Sequence, residues 1–113
     1  MIFPKSCLKS VEKNGKKFTV YLVELENAVF GFFFEGENRK IGTMALAIPK
    51  TNLTMTSSTL IIGHKNVNIT RILAEHLASK FRKLAISSVF IYQEDDIHTN
   101  KALLELAKSI EIE

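Results

Sequence analysis

Residues 28–36 read AVFGFFFEG and place Phe30, Phe32, Phe33 and Phe34 inside five positions. Side chains of a strand alternate between two faces. One face of this segment therefore carries Phe30, Phe32 and Phe34, and the other carries Val29, Gly31 and Phe33. Both faces are apolar. An antiparallel strand with one face in water should alternate apolar and polar residues, so this one requires cover on both sides.

The pattern recurs outward from it. Phe18, Val20 and Leu22 oppose Tyr21, Val23 and Leu25. Met44, Leu46 and Ile48 oppose Ala45 and Ala47, and Ile86 and Phe90 oppose Ala85, Val89 and Ile91. Turn signals divide the chain around these segments. Asn14-Gly15, the strongest hairpin signal present, separates Lys5–Glu12 from Lys17–Leu25. Glu26-Asn27 precedes the phenylalanine strand, Ala28–Glu35, and Gly36-Glu37-Asn38 follows it. Lys40–Ile48 reads as a fourth strand, stopped by Pro49, which has no N–H for a ladder. A polar loop, Thr51–Ser58, leads to a short fifth strand, Thr59–Ile62. Short turns between the first four strands predict an antiparallel meander.

The rest alternates helix and strand. Ile69, Ile72, Leu73, Leu77 and Phe81 recur at helical spacing, with Asn66 or Asn68 placed to cap the first turn. Lys80, Arg82 and Lys83 suit the C-terminal end of that helix dipole. Leu84–Tyr92 is a sixth strand. A second helix over Thr99–Ile110 would bury Leu103, Leu106, Ala107 and Ile110. The fold class expected is α+β: a two-layer domain spanning 1–113, with a six-stranded, mostly antiparallel sheet and two helices on one face.

Two helices cover only one face, so the sequence predicts that a second chain covers the other. An apolar sheet face of this size exceeds what monomers leave in water, and a symmetric sheet-to-sheet dimer is the common solution. Parity alone does not decide which apolar face meets the partner. The interface residues expected are Phe30, Phe32, Phe34, Met44, Leu46 and Phe90. The alternative is a monomer whose N-terminal segment folds across the open face.

Length and composition bound the function. At 113 residues, 46% of them hydrophobic, the chain can build a core without staples. A single cysteine, Cys7, excludes an internal disulfide framework and fits a reducing, cytoplasmic setting. The start, MIFPKSCLKS, lacks a signal-peptide core. AVFGFFF and IGTMALAI fall far short of the roughly 20 residues of a membrane-spanning helix, so no membrane partner is expected. The net charge of +3 is scattered over Lys13, Lys16 and Lys17, over Arg39 and Lys40, and over the helix end. Nucleic-acid binders gather such charge on one face, and no nucleic-acid partner is expected.

Candidates for chemistry are sparse. His64 stands at a strand-to-helix junction, where helix amides can bind anions, but no glycine-rich phosphate motif surrounds it. His76 lies near the helix stripe and reads as a packing residue. His98 follows Glu94-Asp95-Asp96; successive residues on a turn rarely converge on one ion, so the run reads as a solvated turn that helps cap the last helix. Cys7 has no histidine in sequence reach and reads as a small hydrophobe. Ser57, Ser58, Ser87 and Ser88 form no nucleophile elbow. No catalytic set, metal or cofactor is expected.

The stretch KIGTMALAIPKTNLTMTSSTLIIGHKNVNITRILAEHLASKFRKLAISSVFIYQ resembles the proteasome assembly chaperones of the 3/4 type. The matching pieces are Gly42-Thr43 to Ile48, Ser58 to Gly63, the Ile69–Phe81 helix, Ser87 to Tyr92 and the final helix. The resemblance implies a non-enzymatic cytosolic protein that pairs with itself or with a paralogous chain, sheet on sheet with helices outside. It implies binding to 20S proteasome α-subunits to promote α-ring assembly. The end of the chain, SIEIE, lacks the hydrophobic–tyrosine tail of the other chaperone type. A second expectation, from another class, is a roadblock- or longin-like dimeric platform in trafficking or GTPase regulation, although those domains usually place a helix first or pair through edges.

Overall fold

Asn14 and Gly15 both adopt positive φ, 53° and 76°, the left-handed pair that a two-residue hairpin turn of type I′ demands. In the computed structural model, which describes residues 2–110, this turn joins β1 (Lys5–Lys13) to β2 (Lys16–Glu24), with Lys13 opposite Lys16. The chain continues through β3 (Ala28–Glu35), β4 (Thr43–Ile48), β5 (Ser57–Ile62), α1 (Val67–Phe81), β6 (Leu84–Phe90) and α2 (Ile97–Lys108). The last three residues of the SIEIE end lie outside the described residues.

The strands form one six-stranded sheet in the order β1-β2-β3-β6-β4-β5. Among the described residues only β3 and β6 pair in parallel, Phe32 opposite Ser88; the other neighbours are antiparallel. The α+β expectation holds, and the antiparallel meander holds for β1 to β3 but not on to β4. β3 and β4 are separated by β6, which arrives last and inserts between them. Leu84–Phe90 is apolar on both sides, as a central strand should be, and parallel pairing with β3 is reached through a helical crossover. The chain turns at Gly36-Glu37, as expected, but continues through 38–42 as a crossing over the end of β6 instead of returning directly as the next strand. Lys40–Gly42, expected in the fourth strand, belongs to that crossing, while β5 starts two residues earlier than expected.

Both helices pack on one face. α1 lies over β4 and β6, and α2 over β1 and β2. Phe18, Val20 and Leu22 of β2 meet Leu103, Leu106 and Ile110 in a core shared with Val29, Phe33 and Val89. Under α1 the sheet is built of small residues, Gly31, Ala45, Ala47 and Ala85, so that helix sits close. A Cβ on Gly31 would lie 2.6 Å from Leu77 Cδ1. Leu73 and Leu77 are fully buried there, each contributing about 2 kcal/mol by transfer from water.

Two helix details differ from expectation. The buried side of α1 runs along Ile69-Leu73-Leu77 and Thr70-Ala74-Ala78, which rotates Ile72 outward to 47% exposure. Asn66 occupies the cap position in a left-handed conformation, yet neither it nor Asn68 caps with its side chain. Asn66 Nδ2 instead donates to the Gln93 carbonyl (3.1 Å), and its Oδ1 accepts from the Asp95 N–H (2.9 Å). Its amide is spent on holding the loop after β6. Asp96 does cap α2, accepting from the Thr99 N–H (2.9 Å) and hydroxyl (2.6 Å).

Lys80 and Lys83 also find specific partners. Lys80 Nζ donates to the carbonyls of Lys108 and Ile110, closing the end of α2 from α1. Lys83 pairs with Glu24 at 2.6 Å and donates to the Leu25 carbonyl (2.8 Å).

Candidate interaction surface

The sheet face opposite the helices is open. The register places Thr19, Tyr21 and Val23 of β2 beside Phe34, Phe32 and Phe30 of β3. Ile86, Ser88 and Phe90 of β6 continue the same face beside β3, and Met44 and Leu46 of β4 continue it further. All six residues expected at an interface, Phe30, Phe32, Phe34, Met44, Leu46 and Phe90, therefore share this one face. Their alternates, Val29, Phe33, Ala45, Ala47 and Val89, point into the core.

The aromatic rings on the open face are ordered against one another. Phe32 stacks with Phe30 at 6.2 Å between centroids and with Tyr21 at 6.4 Å. Phe90 meets Tyr92 edge-on at 6.1 Å. Phe30, Phe32, Met44, Leu46, Ile86 and Phe90 are half-buried, each walled in by its sheet neighbours and uncovered from above. Tyr21 is 41% exposed and Ile48 50%. These two, with Ile86 and Leu8, add to the six residues that the sequence marks. Parity along the strand marks Tyr21 and Ile86, but their adjacency to the phenylalanines depends on a strand order that no local pattern reveals.

The crossing from β3 to β4 closes one end of the face. Arg39 lies over the Phe34 ring at 5.3 Å, and Lys40 lies over Phe90 at 5.7 Å. Each is a cation–π contact. The Gly42 N–H donates to Ser88 Oγ (3.0 Å), and a Cβ on Gly42 would collide with the Val89 carbonyl. Asn38 bonds the Tyr92 hydroxyl, and Glu35 accepts from the Tyr92 N–H at 3.1 Å. This strap leaves Phe34 only 7% exposed. The charge on the surface is thus gathered at one end, and the remainder of the open face is uncharged.

The candidates for chemistry stay apart. His64 is exposed in the turn before α1, beside a cavity of about 240 Å³ lined in part by Gly42, Thr43 and Lys65. His98 is exposed at the start of α2, and Cys7 is half-buried against the helix-side core, as a small hydrophobe would be. His76 is half-buried between α1 and α2, with Nε2 free of a hydrogen bond. Burial holds its pKa below the ordinary histidine value, and the Lys80 and Lys108 charges push the same way. Of the serines, Ser58 bonds Arg71 and Glu75, and Ser87 donates to the Thr70 carbonyl (2.6 Å). Among the described residues, no three His, Cys, Asp or Glu side chains gather into a metal-holding group. No helix among them is long and apolar enough to cross a membrane.

No family model matches the chain, and no curated protein sequence does. Its fold is shared with a chain from a crystal structure described as a novel chaperone complex for yeast 20S proteasome assembly. The TM-score is 0.69 at 12% identity, over 96% of this chain and 98% of that one. At that identity the likeness is one of fold: a proteasome-assembly-chaperone-like arrangement of strands and helices.

Proposed function

We propose that this chain is a non-enzymatic, cytoplasmic assembly chaperone of the 3/4 type whose residues 1–113 act as one domain. It pairs with a second copy or a paralogous chain through the open sheet face. The pair then binds 20S proteasome α-subunits and favours their correct contacts in the α-ring. The observation that carries this reading is the uncovered aromatic face: Phe30, Phe32, Met44, Leu46 and Phe90 lie together opposite the helices. A stacked, uncharged centre with charges held at one end has the anatomy of an interface core and rim.

The yeast chaperone complex for 20S proteasome assembly, which has the same fold over nearly the whole length of both chains, supports choosing this client class. The mechanism would be binding alone, with the loops and edges outside the paired faces left to meet the client. The roadblock- or longin-like platform differs in pairing through edge strands and helices. The direct test is reconstitution. Purified α-subunits from the same source are incubated with and without the protein, and the products are resolved on native gels. Faster or more complete formation of α-rings, with the protein bound to an intermediate, supports the proposal. Unchanged ring yield and no bound intermediate would refute the client.

A further inference from the structure

The two free edges of the sheet are built differently. β1 carries Lys5, Lys9 and Lys13 along its length, and α2 packs beside it. Lys9 Nζ donates to the Ser109 carbonyl (2.8 Å), and Lys13 pairs with Glu105 at 3.5 Å. Lysines on an edge strand discourage pairing with another chain. β5, SSTLII, has no charged residue, and among the described residues no strand pairs with its outer side. Its Leu60, Ile61 and Ile62 are 39%, 45% and 51% exposed.

Cations outnumber the single carboxylate at the start of that bare edge. At its start, Arg71 donates from Nε to Ser58 Oγ (3.0 Å) and from Nη2 to the Ser58 carbonyl (3.2 Å). Lys50 and Arg82 line a cavity of about 430 Å³ beside Thr56, just before β5. After its end, Lys65 turns its Nζ inward to the Tyr92 carbonyl (3.5 Å). Glu75 also reaches the strand and accepts from the Ser58 hydroxyl. An uncharged, apolar strand edge thus starts beside a cluster of cations.

We infer that β5 is a strand-addition site for an extended partner segment that is apolar along most of its length and acidic where it meets Arg71, Lys50 and Arg82. Backbone groups of β5 would hold such a segment in a ladder, and the flanking cations select its charge. The site lies at the sheet edge, so it stands whether or not the open face is paired.

The test uses the intact protein and a fluorescent, blocked ten-residue peptide of alternating valine and threonine with two glutamates at each end. A control peptide carries lysines in place of the glutamates. By anisotropy at low salt, the acid-flanked peptide should bind at least about tenfold tighter than the control, and high salt should erase the preference. Bound peptide should slow amide exchange in Ser57–Ile62. Ile61→Lys should weaken binding at least about tenfold, with Leu60→Lys as a second variant if the first fails to fold. Arg71→Glu should narrow the preference. Equal binding of both peptides, or binding that leaves β5 exchange unchanged, overturns the inference. So does an Ile61→Lys variant that splits a homodimer which Phe32→Asp leaves intact, because the edge then belongs to a second copy.

Discussion

Replacing Phe32 by aspartate puts a charge at the centre of the stacked cluster, between Phe30 and Tyr21. Lost apolar contact and desolvation of the new carboxylate both weaken pairing. Phe32 is half-buried within its own chain, leaving about 50 Å² of the roughly 200 Å² a phenylalanine can bury for a partner to cover. At about 25 cal/mol per Å² its removal forfeits only about 1 kcal/mol. Desolvation weighs more, since an unpaired carboxylate driven into an apolar interface costs several kcal/mol. Together they come to at least about 4 kcal/mol, which is about a thousandfold in Kd. The monomer should keep its fold, because residue 32 faces away from the helices and the new carboxylate stays in water when unpaired. Sedimentation velocity over a concentration series reads the dimer constant, and circular dichroism checks the fold. Phe32→Leu, which keeps the face apolar, should weaken pairing by no more than about tenfold. A folded Phe32→Asp protein with an unchanged dimer constant would show that the open face is not the interface.

Further perturbations test the fold around the surface. Gly42→Ala drives a methyl group into the Val89 carbonyl and should lower stability by about 3 kcal/mol, seen as a melting temperature about 12 °C lower. Gly31→Ala, on the other face, meets the far end of Leu77 and should cost about 1–3 kcal/mol by denaturant titration while leaving the open face intact. Asp96→Ala removes the α2 cap and should lower the melting temperature at neutral pH. The Thr99 hydroxyl and N–H hold the Asp96 pKa below its ordinary value of 3.8. The cap's contribution is therefore complete above that value, and the gap between variant and wild type should close as pH falls through the depressed pKa. His76 behaves in the related sense for a base. Its lowered pKa means that the unfolded chain takes up the proton first, so stability should decline as pH drops below about 6.5. His76→Leu should flatten that decline in pH-dependent melting curves.

Much of the fold is legible in local pattern. Asn14-Gly15 announces its hairpin, and strand parity along Phe18–Glu24 and Val29–Phe34 sorts residues into two faces. The strand order cannot be read in this way. Nothing in Gly36–Gly42 distinguishes a reverse turn from a crossing, because the deciding contact, Gly42 against the Val89 backbone, lies 47 positions away in sequence. The same separation hides the strap. Arg39 and Lys40 look like ordinary turn cations until β6 places Phe90 beside Phe34. Ile72 falls on the expected core stripe because helical spacing defines a stripe without fixing its centre, and the Thr70-Ala74-Ala78 row draws the buried side away from it. The contrast between the β1 and β5 edges is written in the composition of the two strands, but only the topology makes both of them edges.

The measurement that bears most directly on the account is native mass spectrometry of the purified protein at micromolar concentration, alone and then mixed with a proteasome α-subunit from the same source. The account predicts a dimer, or a dimer once the paralogous chain is supplied, that takes up α-subunit at defined stoichiometry. A chain that stays monomeric in every mixture and binds no α-subunit would contradict it, because the open aromatic face would then have no partner to cover it.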